Sequence, residues 1–163
     1  MTPKNPFIGT QCRCGGYLIP VGVAEAYCDA CGETYRVELI VNLTQHSPTG
    51  EQIEAGVFDL PDKEREELRK LLTFDELPDL SEIERRAEKI AALASKTRAK
   101  AAMIGGAPFL MGPLEDALLE EGIEPVYAFS RRVSEEVTGP DGTVTKIQKF
   151  RHVGFVRPYV GVI

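Results

Sequence analysis

The segment of residues 101–157 most constrains what this chain can fold into. An apolar run at residues 101–104 breaks at Gly105-Gly106, a helix is indicated near Pro113, and a second apolar run covers residues 125–129. This order predicts a strand–helix–strand unit, which builds a parallel sheet in α/β proteins. We therefore predict an α/β fold with an open sheet that binds ligands at the carboxyl ends of its strands.

The middle of the chain predicts two more strands and two helices. A β-rich run at residues 37–43 reads as the first strand of the main domain, and residues 56–60 as a second short strand. Pro61 is expected to open one helix. Ser81 and Glu84 have the spacing of a capping box, which predicts the start of a second and longer helix.

The carboxyl-terminal part predicts a helix and a long hairpin. The helix near Pro113 is expected to end at Gly122, since glycine commonly follows the last turn. Residues 134–138 should pair with residues 143–150 across a Gly-Pro-Asp-Gly turn, and residues 152–156 should continue as a strand.

The charge of the chain is uneven. Its formal net charge is -6 over 163 residues, which argues against general nucleic-acid binding. Residues 130–158, however, hold six basic and three acidic side chains, so this end is basic. A ligand-facing surface and a merely solvated hairpin face both remain open for it. No apolar run is long enough to span a membrane, and we expect a cytoplasmic protein.

Four cysteines form two short hooks near the amino terminus. Cys12 and Cys14 make a C-x-C hook with glycines after it, and Cys28 and Cys31 make a C-x-x-C hook. Two such thiolate pairs on tight turns can meet as a tetrahedral set of four sulfur atoms. The spacing is typical of a zinc ribbon, and we predict one structural zinc ion.

Two other interpretations of the cysteines are less favoured. Two disulfides would suit an oxidising compartment, which the chain does not indicate. A catalytic zinc usually keeps an open position and takes histidine or carboxylate ligands, whereas four cysteines close the shell. We therefore predict a zinc ribbon at residues 1–36, dependent on its metal for folding, and a nucleotide-binding domain at residues 37–163.

Small and polar residues follow the predicted strands where a ligand would bind. Gly105, Gly106 and Ala107 permit close backbone approach, and the next helix begins with free amides that suit a phosphate. Thr44 and His46 follow the first strand and should reach the same edge of the sheet. A tight strand-to-helix turn and a structural histidine are the plain alternatives.

The second apolar run ends in Ser130, Arg131 and Arg132, which we predict to form a loop at the same edge. Arginine suits bidentate contact with a phosphate, although an ion pair with Glu135 or Glu136 would also explain it.

Four short blocks resemble CRISPR-associated proteins of the Csx type, which contain CARF domains (CRISPR-associated Rossmann folds) and include ring nucleases. The matching blocks are residues 42–46, 103–109, 127–132 and 150–155. The resemblance implies a Rossmann-like sheet and a homodimer that holds one cyclic oligoadenylate across its twofold axis. It covers the main domain but not the cysteine hooks.

The resemblance also implies a metal-independent cleavage, in which a ribose 2′-hydroxyl attacks the adjacent phosphate in line. Gly105, Gly106 and Ser130 would then hold phosphates, and Arg132 would stabilise the developing charge. His46 or His152 could move the proton.

Two other function classes stay open at this point. A sensor or sponge would use the same pocket without turnover. A zinc-ribbon adaptor would instead contact protein or nucleic acid through Tyr17, Tyr27 and Arg13.

Overall fold

The computed structural model describes residues 7–22 and 24–160 and contains two separate sheets. The smaller is a three-stranded antiparallel sheet, here called the ribbon together with its loops (residues 7–22 and 24–36). Its strands are β1 (Leu18–Pro20), β2 (Glu25–Cys28) and β3 (Thr34–Arg36).

The larger sheet has five strands in the order β5-β4-β6-β7-β8. Four of them are parallel, and β8 pairs antiparallel with β7 at one edge. The fold is therefore mixed α/β, as the sequence predicts. The strands are β4 (Ile40–Asn42), β5 (Val57–Asp59), β6 (Ala101–Met103), β7 (Glu124–Thr138) and β8 (Val144–Val156). The helices are α1 (Gly50–Glu54), α2 (Asp62–Leu72), α3 (Leu80–Ser95) and α4 (Pro108–Glu120).

The main core lies between the sheet and helices α2, α3 and α4. Leu68 of α2, Ile90 of α3 and Leu114 of α4 are fully buried in it, together with Val41 of β4. Within each helix the buried side chains recur at helical spacing, as Leu68, Leu71 and Leu72 do in α2, so each helix turns one apolar face to the sheet. A smaller cluster on strands β4 to β7 packs against Phe155 of β8.

Strands β5 and β6 lie on opposite sides of β4 in the sheet. The connection from β4 to β5 therefore runs in one direction across the sheet, and the connection from β5 to β6 runs in the other. The loops that leave the carboxyl ends of β4 and β6 diverge at this point, which opens a crevice between them. Among the described residues, none of the helices has the length and apolar character needed to cross a membrane.

Two predicted helix starts are wrong. Helix α3 is capped by Asp79 and not by Ser81, because the Glu82 amide donates to the Asp79 carboxylate over 2.8 Å. Helix α4 starts at Pro108, five residues before Pro113, which lies inside the helix. Pro108 occupies the first helical position, where the missing N–H costs nothing, so it is the better start.

The predicted Ser-Arg-Arg loop is also wrong. Strand β7 continues to Thr138, and Ser130, Arg131 and Arg132 pair with His152, Arg151 and Phe150 of β8. The register shifts between Phe129 and Ser130, which leaves Val153 as an extra residue in a β-bulge. Residues 130–138 and 144–152, here called the arm, form a two-stranded ribbon beyond the sheet. Both faces of the arm are in contact with solvent. Its sequence therefore lacks the alternation of apolar and polar residues that marks a strand with one buried face.

Candidate functional site

The four cysteine sulfur atoms lie together at one end of the ribbon. All four Sγ atoms lie within 4.8 Å of one another, with Cys12 and Cys31 3.6 Å apart and Cys14 and Cys28 3.4 Å apart. A metal with bonds of about 2.3 Å to sulfur needs sulfur atoms separated by about 3.8 Å in a tetrahedron. The cluster therefore has the composition and spacing to hold a metal ion.

Hydrogen bonds around the cluster favour the thiolate form at one cysteine. The hydroxyl of Tyr35 lies 3.1 Å from Cys12 Sγ, and this contact, helped by the Cys14 amide, lowers the pKa of Cys12 to about 6. The Glu33 amide acts to lower the pKa of Cys31, but the thiols of Cys28 and Cys14 together with burial raise it to about 12. Neighbouring thiols in the cluster therefore oppose the ionisation of Cys31. A bound cation would remove this opposition, because it stabilises all four thiolates at once.

Gly16 permits the two hooks to approach each other. A Cβ atom there would lie 2.6 Å from Ala30 Cβ and 2.7 Å from Cys28 Sγ, closer than such atoms pack. We expect Gly16→Ala to weaken metal binding at least about tenfold, because Cys28 must move out of position. Competition with a chromophoric chelator measures this change. Gly22→Ala is the matched control, since nothing lies within 4 Å of its added Cβ; equal affinity of both variants would contradict the prediction.

A pocket of about 680 Å³ lies at the carboxyl ends of β4 and β6, beside Tyr127 and Ala128 of β7. Its walls come from the loop after β4, the first turn of α1, the loop after β6 and the middle of β7. The lining residues are Thr44, Gln45, His46, Ser47, Thr49, Gln52, Leu72, Met103, Ile104, Gly105, Gly106, Ala107, Tyr127 and Ala128. In the described part of the chain, no lysine or arginine lines this pocket.

Asn42 holds the loop after β4 in place. Its side chain is fully buried, and its Nδ2 donates to the His46 carbonyl over 2.7 Å and to Asp59 Oδ1 over 2.8 Å. Its Oδ1 accepts from the Thr44 amide over 3.0 Å and lies 2.8 Å from Thr44 Oγ1. Both the NH₂ group and the oxygen of this side-chain amide are fully hydrogen-bonded, so a buried side chain holds the loop in one conformation.

A buried ion pair supports the same loop from the side. Arg65 of α2 is only 7% exposed, and its guanidinium pairs with the Asp59 carboxylate at the end of β5. The other guanidinium nitrogen contacts Ser47 Oγ at 3.4 Å. Because Asp59 neutralises it, Arg65 offers the pocket no net positive charge.

The loop after β6 presents free backbone donors. The amides of Gly105, Gly106 and Ala107 make no hydrogen bond within residues 7–22 and 24–160. Ala107 is the N-cap of α4 and gives no side-chain cap, so the positive end of this 13-residue helix stays open. These donors suit an anion such as a phosphate oxygen.

The sequence of the main domain matches a protein-family model. The chain belongs to the Uncharacterized protein MJ1673 family. The family model matches residues 38–156, a range that begins after the four cysteines and contains the pocket and the arm. Comparisons with curated proteins and with solved structures found no match.

The structure brings together some of the predicted site residues and separates others. Thr44, His46, Gly105, Gly106 and Ala107 all line the pocket. The other predicted residues lie outside its lining, namely Ser130, Arg131, Arg132 and His152.

The predicted catalytic candidates on the arm have other contacts. Arg132 stands 5.4 Å over the Phe150 ring. The His152 amide donates to Glu51 of α1 over 2.8 Å, and its imidazole packs 4.7 Å from the Phe155 ring. Both imidazole nitrogens are buried without a hydrogen-bond partner in the described part of the chain, so this ring is packed as an apolar group.

Several residues that line the pocket or support its loops were missed by sequence reasoning. Asn42 and Asp59 each end an apolar strand run, where a polar residue points to the carboxyl edge of a parallel sheet. That signal was available. Arg65 and Tyr127 carry no such sequence signal, because an arginine on a charged helix and a tyrosine in a strand are both common. The Tyr127 hydroxyl donates to Glu115 of α4, and burial, with this contact, raises its pKa.

Proposed function

We propose that this protein binds a cyclic oligoadenylate through the pocket at the carboxyl ends of β4 and β6. The observation that carries the proposal is the free amides of Gly105, Gly106 and Ala107 in the lining of the pocket. Backbone amides at a helix start hold phosphate oxygens, and a volume of about 680 Å³ accommodates a nucleotide.

The strand order supports the same assignment. In doubly wound sheets, which include Rossmann-like folds, ligands bind where neighbouring loops diverge. The order β5-β4-β6-β7 places that point between β4 and β6, where the pocket lies. We infer a Rossmann-like domain of the CARF type at residues 37–163. A ring of this kind would be shared by two copies of the chain.

Gly105→Leu tests the pocket directly. A Cβ at this position meets nothing nearer than Thr44 Cγ2 at 3.6 Å, so the fold should survive while the larger side chain occupies ligand space. We expect binding of cyclic tri-, tetra- or hexa-adenylate, followed by calorimetry, to weaken at least about tenfold. Gly112→Leu, on the exposed side of α4, is the matched control. Failure of the wild type to bind all three rings would overturn the proposal.

Cleavage is a second candidate, which the position of His46 favours. Its imidazole is exposed at the pocket, where it could accept the ribose 2′-hydroxyl proton as that oxygen attacks the adjacent phosphate. The attack breaks the bond from phosphorus to the 5′-oxygen of the next nucleotide, which takes up a proton from solvent and leaves as a 5′-hydroxyl. The products would therefore carry a 2′,3′-cyclic phosphate, which mass spectrometry detects. We expect His46→Asn to lower turnover about 100-fold with ring affinity unchanged. Intact rings after prolonged incubation with the wild type would instead identify a sensor or sponge.

We further propose that the cysteine cluster holds zinc in a structural role. Four thiolates match the preference of zinc for sulfur, and they leave no open position for a substrate. The ribbon also exposes Tyr17 and Tyr27, at 58% and 42%, so an adaptor role for this part remains compatible with a nucleotide pocket in the main domain.

A further inference from the structure

Two arginines face each other directly across the base of the arm. Arg131 of β7 pairs with Arg151 of β8, and both side chains are exposed. Directly opposed residues in an antiparallel pair have Cα atoms about 4.5–5.5 Å apart, and like charges at this spacing destabilise the strand pair. The arrangement therefore costs free energy in the isolated protein.

Neighbouring acids do not balance this pair. Arg131 makes no ion pair or side-chain hydrogen bond among residues 7–22 and 24–160. The nearby carboxylate is Glu135, which is held by Lys149 at 2.6 Å. Lys149, and more weakly Arg151, keep the pKa of Glu135 below its usual range. Glu135 is thus shared by Lys149 and, more weakly, Arg151, and Arg131 is not among its partners. This face of the arm therefore keeps an excess of positive charge.

The pair stands on the side of the sheet against which helix α4 packs. Side chains alternate along a strand, so Tyr127, Phe129 and Arg131 share one face of β7. Tyr127 lines the pocket and contacts Glu115 of α4, which identifies that face. Arg131 follows Tyr127 by four residues, or roughly 13 Å along the strand.

We propose that Arg131 and Arg151 form a second anion subsite, which continues from the free amides of Gly105, Gly106 and Ala107. The pocket has anion-binding amides but no lysine or arginine in its described lining, whereas the arm has unbalanced guanidiniums. A second phosphate between the two arginines would remove their repulsion and form charge-assisted hydrogen bonds.

The subsite specifies the class of ligand for the function proposed above, on which it rests. A ligand with one phosphate would occupy the amides alone. A ligand with two or more separated phosphates, as in an oligonucleotide ring or chain, would engage both places. Affinity for such a ligand should therefore exceed that for a mononucleotide and fall more steeply with salt.

Single substitutions with two probes test the subsite. The probes are 5′-AMP, with one phosphate, and whichever of cyclic tri-, tetra- or hexa-adenylate the wild type binds most tightly. We expect Arg131→Gln and Arg151→Gln each to weaken ring binding at least about fivefold and to reduce the log–log salt slope by about 0.7. Binding of 5′-AMP should change less than twofold. Neither variant should lower the melting temperature, because each removes a like-charge contact.

Lys146→Gln is the matched control. It removes one positive charge from the same arm, but Lys146 pairs with Glu136 on the opposite face. It should leave the affinity for both probes unchanged. If the arginine variants bind the ring as tightly as Lys146→Gln does, the second subsite is overturned while the pocket stands. If the wild type binds neither probe, the proposed function fails and the subsite fails with it.

Discussion

Removal of the zinc ion that we propose for the cysteine cluster is expected to unfold the ribbon and leave the five-stranded sheet intact. The buried apolar core of the ribbon, among the described residues, consists of Cys12, Leu18, Ala26 and Cys28, so two of its four members are proposed metal ligands. A core this small cannot offset the entropy of ordering some 30 residues, whereas metal binding contributes roughly 10–16 kcal/mol in comparable sites. In an amide correlation spectrum, signals of residues 7–36 should collapse to unfolded positions on chelation, and those of the sheet should stay.

The stoichiometry provides an independent check on this prediction. Elemental analysis should find one zinc per chain, and all four thiols should react with a disulfide reagent only after chelation. Cys28→Ser is the control, because the chelator should cause no further change in a protein that has already lost a ligand. Dispersed ribbon signals in metal-free protein would show that packing alone folds this part.

Gly56→Ala is expected to cost about 3 kcal/mol or more in the free energy of unfolding. Gly56 has a φ of 99°, which an L side chain adopts only at a cost of about 1–2 kcal/mol. A Cβ there would also overlap the carbonyl oxygen of Glu38 and lie 2.6 Å from Val37 Cγ1. Relief of this overlap requires a backbone shift at the start of β4, and such overpacking adds about 1–3 kcal/mol. Urea denaturation measures the loss.

Gly142→Ala separates the two contributions. Gly142 lies in the arm turn at a φ of 81°, with nothing within 4 Å of an added Cβ. It should therefore cost only about 1 kcal/mol, the conformational part alone. Similar losses in the two variants would mean that the segment before β4 yields easily and that the contact with Glu38 contributes little.

The sequence was most informative where one physical requirement dominates. Buried parallel strands must be apolar along their length, so the runs that became β4, β5 and β6 stood out, although each is shorter than predicted. Four cysteines in paired hooks leave few alternatives to a common cluster, and the structure places their sulfur atoms together. The hairpin turn was equally clear, because Gly-Pro-Asp-Gly between two β-rich runs has a defined geometry.

The sequence was least informative where two local signals compete. Asp79 and Ser81 can both cap a helix, and Pro108 and Pro113 can both begin one, so spacing alone did not decide between them. The arm has no apolar face, and its Ser-Arg-Arg run therefore looked like a loop. The Asn42–Asp59–Arg65 network depends on the pairing of β4 with β5, a contact that no single stretch of sequence contains.

The fully hydrogen-bonded side chain of Asn42 has a consequence for which positions of the pocket can change in sequence. The course of the loop after β4 is set by a buried side chain and by backbone groups of Thr44 and His46. Gln45 Nε2 adds a hydrogen bond to Thr73 Oγ1 over 3.3 Å, whereas the exposed side chain of His46 takes no part in that support. Substitutions of His46 could change which ligand is preferred without a change in loop shape. Ligand choice could thus drift across homologous proteins while the scaffold beneath it stays the same.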